Sequence, residues 1–261
     1  MSQNPNMYAV EAHIAEIYDQ HETYTDDLAL IRKLIGHRKG LRILEPFCGT
    51  GRLLIPLSQD GHTLIGLDQS PGMLAHAASK IPPDVRERVT LKVADVLETP
   101  WPEICDLVVL GGNCLYELAT LREQEAVICS AAKALKPGGY VYVDNNHMEG
   151  DLDRSWQVPG VHVGFPTGIC ADGTRVESTT ETIWFDVPAR LAKFRRSTRV
   201  TLPDGKVLES EYIQQKHPVS AGEMRTWLER YGLIIEQFFG DRVQNPYTPH
   251  SPRAIFWARK A

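Results

Sequence analysis

Three carboxylates and two glycines stand where they could hold a ligand. Leu41-Arg-Ile-Leu44 runs into Glu45, Leu64-Ile-Gly-Leu67 into Asp68, and Val89-Thr-Leu-Lys-Val-Ala94 into Asp95. Short apolar runs of this kind read as strands, and acids at their carboxyl ends point into the crevice where open parallel sheets bind ligands. After the first acid, Pro46-Phe-Cys-Gly-Thr-Gly51 makes a turn whose Gly49 and Gly51 let backbone approach that ligand. A carboxylate at the second strand end can take the hydroxyls of a ribose, and one at the third can accept from an adenine amine. A nicotinamide fingerprint calls for a third glycine at position 54, where Leu54 stands, and a phosphate-binding P-loop calls for Gly-Lys-Ser/Thr where the chain reads Gly51-Arg-Leu. The spacing predicts a nucleoside pocket without a pyrophosphate cradle.

The elements that must position these residues alternate. Strands are expected at 41–46, 63–67, 89–94, 105–111 and 140–144, and helices at 51–60, 71–80 and 120–135. Ser70-Pro71 reads as a helix cap with proline in the first turn, Gly61 as a helix stop, and Cys105-Asp-Leu-Val-Val-Leu-Gly111 as a central strand covered on both faces. This order argues for a doubly wound α/β sheet. Helical spacing at 7–20 and 27–36 predicts a cover over the strand ends. Beyond residue 150 the pattern changes to long alternating segments, 174–186, 190–202 and 206–217, joined by short turns, which read as an antiparallel meander. Ser220 with Glu223 forms a capping box for a helix over 221–231, and strands 233–239 and 253–259 return to the main sheet. The organisation expected is one domain over 1–261: helical cover 1–38, cofactor-binding core 39–150, antiparallel β insertion 160–218, and closing helix and strands 219–261.

The bulk numbers exclude more than they select. The chain has 261 residues, 43% hydrophobic and 23% charged, and a net charge of −5, which provides no electrostatic reason for a nucleic-acid partner. Lys193-Phe-Arg-Arg-Ser-Thr-Arg199 alternates as an exposed strand face does, with Glu209 and Glu211 placed to balance it across the meander. No apolar run approaches the roughly 20 residues that cross a bilayer, and the N-terminus lacks the pattern of a secretory signal. The five cysteines lack C-x-x-C spacing and are read as reduced thiols in a cytoplasmic protein. No metal site is expected, and the exposed meander edge offers a possible homodimer contact.

Glu45-Pro-Phe-Cys-Gly-Thr-Gly51, Leu67-Asp-Gln-Ser-Pro-Gly-Met-Leu74, Ala94-Asp95-Val96 and Leu135-Lys-Pro-Gly-Gly139 together resemble the successive motifs of class I S-adenosylmethionine-dependent methyltransferases, over roughly residues 41–144. The resemblance implies a Rossmann-like, mostly parallel seven-stranded sheet and S-adenosylmethionine as cofactor. It places Glu45 near the methionine amino group, with Phe47, Gly49 and Gly51 lining the cofactor. Asp68 would hold the ribose hydroxyls, Gln69 and Met73 would flank the adenine, and Asp95 would accept from the adenine amine with Val96 beside it. Leu110-Gly-Gly-Asn-Cys-Leu-Tyr116 is similar to a stretch of glycine N-methyltransferases and aminosugar N-methyltransferases. That likeness adds Gly112, and it makes Tyr18 and Tyr24 candidates for the tyrosine that covers the cofactor. The amino-acid enzymes hold their substrate carboxylate with an arginine just past the fifth strand. Here Asp144-Asn-Asn-His147 stands there, which favours a larger or uncharged amine over a glycine-like substrate.

The expected chemistry is methyl transfer to a small-molecule acceptor, with nitrogen preferred. In-line displacement at a sulfonium carbon asks mainly for positioning. Asn113 and Tyr116 are candidates to orient the acceptor, Asn145, Asn146 and His147 to line its site, and His147 to act as base because its unperturbed pKa lies near neutrality. Oxygen or carbon transfer with His147 as obligatory base is the alternative, and a non-catalytic cofactor-binding sensor is another. Bland roles compete with each: Asn113 satisfying local backbone, Tyr18 and Tyr24 packing helices, Asp144 serving structure at a strand end.

Overall fold

The computed structural model describes residues 12–146 and 154–261. Seven strands form one sheet in the order β11-β12-β5-β4-β1-β2-β3. These are β1 (Arg42–Pro46), β2 (Thr63–Asp68), β3 (Val89–Val93), β4 (Cys105–Leu110), β5 (Leu135–Asn146), β11 (Leu233–Phe239) and β12 (Arg253–Lys260). β3, β2, β1, β4 and β5 pair in parallel, and β12 runs against both β5 and β11. The chain therefore leaves β1 in one direction to β2 and β3 and returns on its other side to β4 and β5. The gap between β1 and β4 is a topological switch point, the place where such sheets bind ligands.

Both sheet faces are covered. On one face Leu28, Ile31 and Ile35 of α2 (Asp26–Ile35) and Leu54 and Leu57 of α3 (Leu54–Gln59) pack with Ile43, Leu107, Tyr142 and Trp257. On the other, Val127 and Ile128 of α5 (Leu121–Ala134) and Met224, Trp227 and Leu228 of α6 (Ala221–Arg230) pack with Leu44, Val108, Val143 and Phe256. Strands with buried residues on both sides are why β4 reads as a nearly continuous apolar run, broken only by Asp106. Helix starts follow their local chemistry. Ser70 accepts from the Met73 amide at the head of α4 (Pro71–Lys80), and full capping boxes, Thr120 with Glu123 and Ser220 with Glu223, open α5 and α6.

The second sheet has the order β10-β9-β8-β6, with β7 also on β8. β8 (Arg175–Asp186), β9 (Leu191–Thr201) and β10 (Val207–Lys216) are the expected meander, and the short β6 (Val161–Val163) and β7 (Gly168–Ile169) are additions that carry no strand signal of their own. Arg199 faces Glu209, and Arg195 lies between Glu181 and Glu211, so the basic stretch is neutralised across strands.

Three boundaries differ from expectation. Helix α3 begins at Leu54, because Gly51 at φ +80° keeps the preceding turn out of the helix. Strand β5 pairs from Leu135 to Asn146, since Leu135 already meets Cys105 and the 136–139 turn is accommodated as an irregularity. Its far end is held by β12, which pairs Asn145 with Ala254 and Asn146 with Arg253. Asn145 and Asn146 are thus strand residues. The two N-terminal helices also divide their work. α2 packs on the sheet face, while α1 (Ala12–His21) lies against α4 and β8.

Candidate functional site

A cavity of about 700 Å³ opens beyond the carboxyl ends of β1, β2 and β4, within the size range of small-molecule and cofactor sites. Glu45, Asp68, Asp95 and Gln69 all reach it from strand ends and the turns after them. Each Asp68 oxygen is already in use once. Oδ2 accepts from the Gly49 amide at 2.9 Å and Oδ1 from the Ser70 amide at 2.8 Å, so the carboxylate ties the β1–α3 turn to the start of α4. Each oxygen keeps a second lone pair for a ligand. Burial pushes the Asp68 carboxyl up, and the two amide hydrogen bonds pull it down. Asp95 similarly accepts from the Leu97 amide at 2.9 Å.

The turn itself is shaped for close approach. Phe47 and Cys48 both donate from their amides to the Leu67 carbonyl, at 2.9 and 3.0 Å, which folds the turn over the end of β2. Gly49 has φ +52°, and a Cβ there would stand in open space. Packing beneath is tight: a Cβ on Gly66 would meet Cys48 Sγ and Leu54 Cδ1, each at 2.6 Å.

Glu45 is the unusual group. It is buried, its Oε2 has no hydrogen-bond partner among the described residues, and burial pushes its carboxyl up to about 8, with Arg52 opposing and Asp27 and Asp68 adding to the rise. A buried orphaned carboxyl oxygen costs free energy unless a donor or cation arrives to meet it.

Behind this end lies an ion network. Arg52 makes a bidentate pair with buried Asp27 at 2.9 and 2.6 Å and stands 4.0 Å over the Tyr24 ring. Asp144, fully buried, accepts from Arg242 Nε at 2.9 Å, from Arg253 Nε, and from the Tyr142 hydroxyl at 3.0 Å. The structural role expected for Asp144 is the one it has.

The cover is latched by α1. Asp19 accepts the Thr50 hydroxyl at 2.5 Å and pairs with His76 at 2.9 Å and with Lys80. This holds Tyr18 at the cavity, edge-on to Phe165 with ring centroids 5.6 Å apart. Burial raises the Tyr18 hydroxyl well above the usual tyrosine range and the Tyr24 hydroxyl to about 12, so neither ionises near neutrality.

At the other end the cavity meets the antiparallel layer. Asn113, in a left-handed conformation at φ +60°, accepts on Oδ1 from the Asn146 amide at 2.9 Å and from Arg253 at 3.1 Å. The Tyr116 hydroxyl donates to the Asn146 carbonyl. These two side chains therefore pin the β4 and β5 ends together while facing the cavity. Trp156 stands edge-on to Tyr116 with centroids 6.0 Å apart.

Of the expected site residues, Tyr18, Tyr24, Glu45, Phe47, Gly49, Asp68, Gln69, Met73, Asp95, Val96, Gly112, Asn113, Tyr116 and Asn146 line this one cavity. Gly51 does not line it; at φ +80° it sits against Ile55 and Ala77. Asn145 points the other way from the strand and is buried without a hydrogen-bond partner among the described residues. His147 lies outside the described residues. Glu117, Trp156, Phe165, Lys216, Arg242 and Arg253 also line the cavity. No motif marks them; Glu117 alone adjoins one, a single residue beyond Tyr116.

A family model described as a methyltransferase domain matches residues 43–139. Over 123 residues the chain is 34% identical to an uncharacterized methyltransferase of Emericella nidulans, which covers 42% of this chain and 43% of that one. Over 145 residues it is 28% identical to the dTDP-3-amino-3,4,6-trideoxy-alpha-D-glucopyranose N,N-dimethyltransferase of Streptomyces venezuelae, covering 53% of this chain and 58% of that one. The chain spans less than two thirds of several curated relatives it matches, 38% of one and 61% of another. The crystal structure of a sugar N-methyltransferase from a Streptoalloteichus species superposes with a TM-score of 0.71 at 16% identity, over 100% of this chain and 96% of that one. That superposition shows a shared fold, and the family match agrees with the motifs at the strand ends. Residues 43–139 are thus similar to a methyltransferase domain.

Proposed function

We propose that this protein transfers a methyl group from S-adenosylmethionine to an amine nitrogen of a small acceptor, as one catalytic unit spanning both sheets. The observation that carries the reading is a single cavity that joins the strand-end carboxylates to an aromatic wall from α1 and the antiparallel layer. The residues present fit the cofactor. Glu45 Oε2, buried and unpartnered among the described residues, suits the methionine ammonium; the spare lone pairs of Asp68 suit ribose hydroxyls; the open space at Gly49 admits the ligand against backbone. Asp95, Gln69, Val96 and Met73 would surround the adenine.

When bound, the cofactor supplies a methyl group on a sulfonium, already activated for displacement. The protein's task is then to orient and to dry the acceptor. Tyr18, Phe165, Tyr116 and Trp156 exclude water from the acceptor side, and holding reactants at about 3–3.5 Å in line can supply most of the rate. An alkyl amine arrives protonated, with a pKa of about 10 in water, and desolvation against these rings favours its neutral, nucleophilic form. Nitrogen is preferred over oxygen because the Tyr116 hydroxyl, whose hydrogen goes to the Asn146 carbonyl, meets an acceptor N–H through its oxygen, and two relatives, one in sequence and one in structure, are named for methylating sugar nitrogens.

Calorimetric titration with S-adenosylhomocysteine, followed by turnover with a panel of primary and secondary amines, tests the reading. Saturable binding and methylated amine are expected. Absence of binding, or turnover confined to hydroxyl acceptors, would overturn it.

A further inference from the structure

Among the described residues, four side chains with cationic heads line the cavity, and three of them are clamped. Arg52 is held by Asp27, Arg242 by Asp144 and Asp26, and Arg253 by Asp144 and Asn113. An arginine does not give up its proton in proteins. Lys216, the last residue of β10, is different. It lines the cavity beside Glu117, and its side chain makes no hydrogen bond or ion pair with any described residue. Its charged neighbours are Glu117 and Arg196, and a neutral tyrosine lies on its own strand. Glu117 lies in the short turn after β4 and accepts from Gln214 at 3.3 Å; Arg196 lies on β9; Tyr212 is on the same strand and shares those two neighbours.

We propose that the Lys216 amine is the base that takes the proton from the acceptor ammonium, an assignment that rests on the amine-transfer reading above. Its head group is free to move a proton because no described partner fixes it, and it stands beside Glu117, a carboxylate that can hold the incoming ammonium next to the base. Burial holds Lys216 below the usual lysine range; Glu117 opposes the shift and Arg196 adds to it. A lysine held down by desolvation is a recognised route to a base near neutrality. In the step, neutral Lys216 Nζ accepts a proton from the acceptor, leaving a lone pair on the acceptor nitrogen and an ammonium on Lys216. That lone pair forms the nitrogen–carbon bond as the carbon–sulfur bond breaks, with the breaking pair retained on sulfur. Lys216 then returns its proton to water.

Two independent measurements decide the matter. Competitive acetylation of the intact protein against pH, read by mass spectrometry at each lysine, should show Lys216 titrating below the other lysines, with no substrate needed. In kinetics, Lys216→Met and Lys216→Arg should each lower kcat by about 10²-fold, within the usual range for a general base. Both should also remove the low-pH limb of the kcat profile while leaving S-adenosylhomocysteine affinity unchanged. Restoration of kcat by Lys216→Arg would mean a charge anchor and overturn the proposal, as would Lys216 acetylating in step with the surface lysines. A limb removed by His147→Ala and retained by Lys216→Met would transfer the role to His147. Loss of cofactor binding in the unaltered protein would instead sink the parent reading.

Discussion

The two ends of the cavity, one proposed for the cofactor and the other for the acceptor, are built by different rules. At the cofactor end, Glu45, Asp68 and Asp95 are fixed by one strand each, and their immediate successors in the chain supply the turns that complete the pocket. At the acceptor end, Tyr116, Trp156, Phe165 and Lys216 come from four separate segments spread over about a hundred residues. Local geometry holds the first end; packing between distant elements holds the second. The cofactor end is therefore a fixed frame, whereas substitutions in one segment can reshape the acceptor end without disturbing the frame.

The sharpest way to break this division is at Asp144, where both ends share support. Asp144→Ala strips the buried partner from Arg242 and Arg253, and removing one side of a buried ion pair costs about 3–5 kcal/mol. Denaturant unfolding should show a loss of that size; a loss below about 1 kcal/mol, the scale of a surface pair, would mean that the network does not support the sheet.

Next in size is Asp68→Ala, which should weaken S-adenosylhomocysteine binding about 10²-fold or more, since it removes a ligand group and also the shared acceptor of the Gly49 and Ser70 amides. That corresponds to about 2.7 kcal/mol. Trp156→Ala, by contrast, should leave cofactor affinity alone and raise the acceptor KM. Equal effects of both variants on cofactor binding would erase the distinction between the ends.

Gly66→Ala probes the frame from beneath, because its Cβ would meet Cys48 Sγ and Leu54 Cδ1 at 2.6 Å. Overpacking of this kind costs about 1–3 kcal/mol. Unaltered stability together with unaltered cofactor affinity would show the turn to be softer than its packing implies.

The smallest effect is a proton. Glu45 has its carboxyl raised from 4.5 to about 8 by burial. A folded-state value above the unfolded one means that its contribution to stability is full below pH 4.5 and is lost as pH rises through about 8. Glu45→Gln should flatten that decline. A bound ammonium would pull the carboxyl back down, so S-adenosylhomocysteine binding at pH 7 should release close to one proton, measured by calorimetry in buffers of different ionisation enthalpy. No buffer dependence would separate Glu45 from the ligand ammonium.

Much of the frame is legible in the order of the residues. A strand buried on both faces is mostly apolar, and its end returns to polar or turn residues, so β1, β2 and β4 stand out, as do the acids at the ends of β1, β2 and β3. Helix caps act over three residues, which is why Ser70 and Ser220 can be read as starts. The length of β5 cannot, because its extension to Asn146 depends on pairing with β12, more than a hundred residues later. Nor can local pattern separate Asn146, which faces the cavity, from Asn145, which faces the core: adjacent strand residues point to opposite faces, and a register shift of one exchanges them.

The amino-acid order alone pointed to the parallel sheet and the strand-end carboxylates, since apolar runs, caps and turn residues are patterns among residues close in the chain, even though the strands they specify pair over longer distances. Only the tertiary structure decided that Asp144 is a clamp for two arginines, that Asn113 and Tyr116 bind the strand ends together, and that Lys216 lines the cavity with no ion pair to a described residue. Those outcomes depend on which distant segments are brought into contact, and burial and charge act on a side chain only once its neighbours are in place.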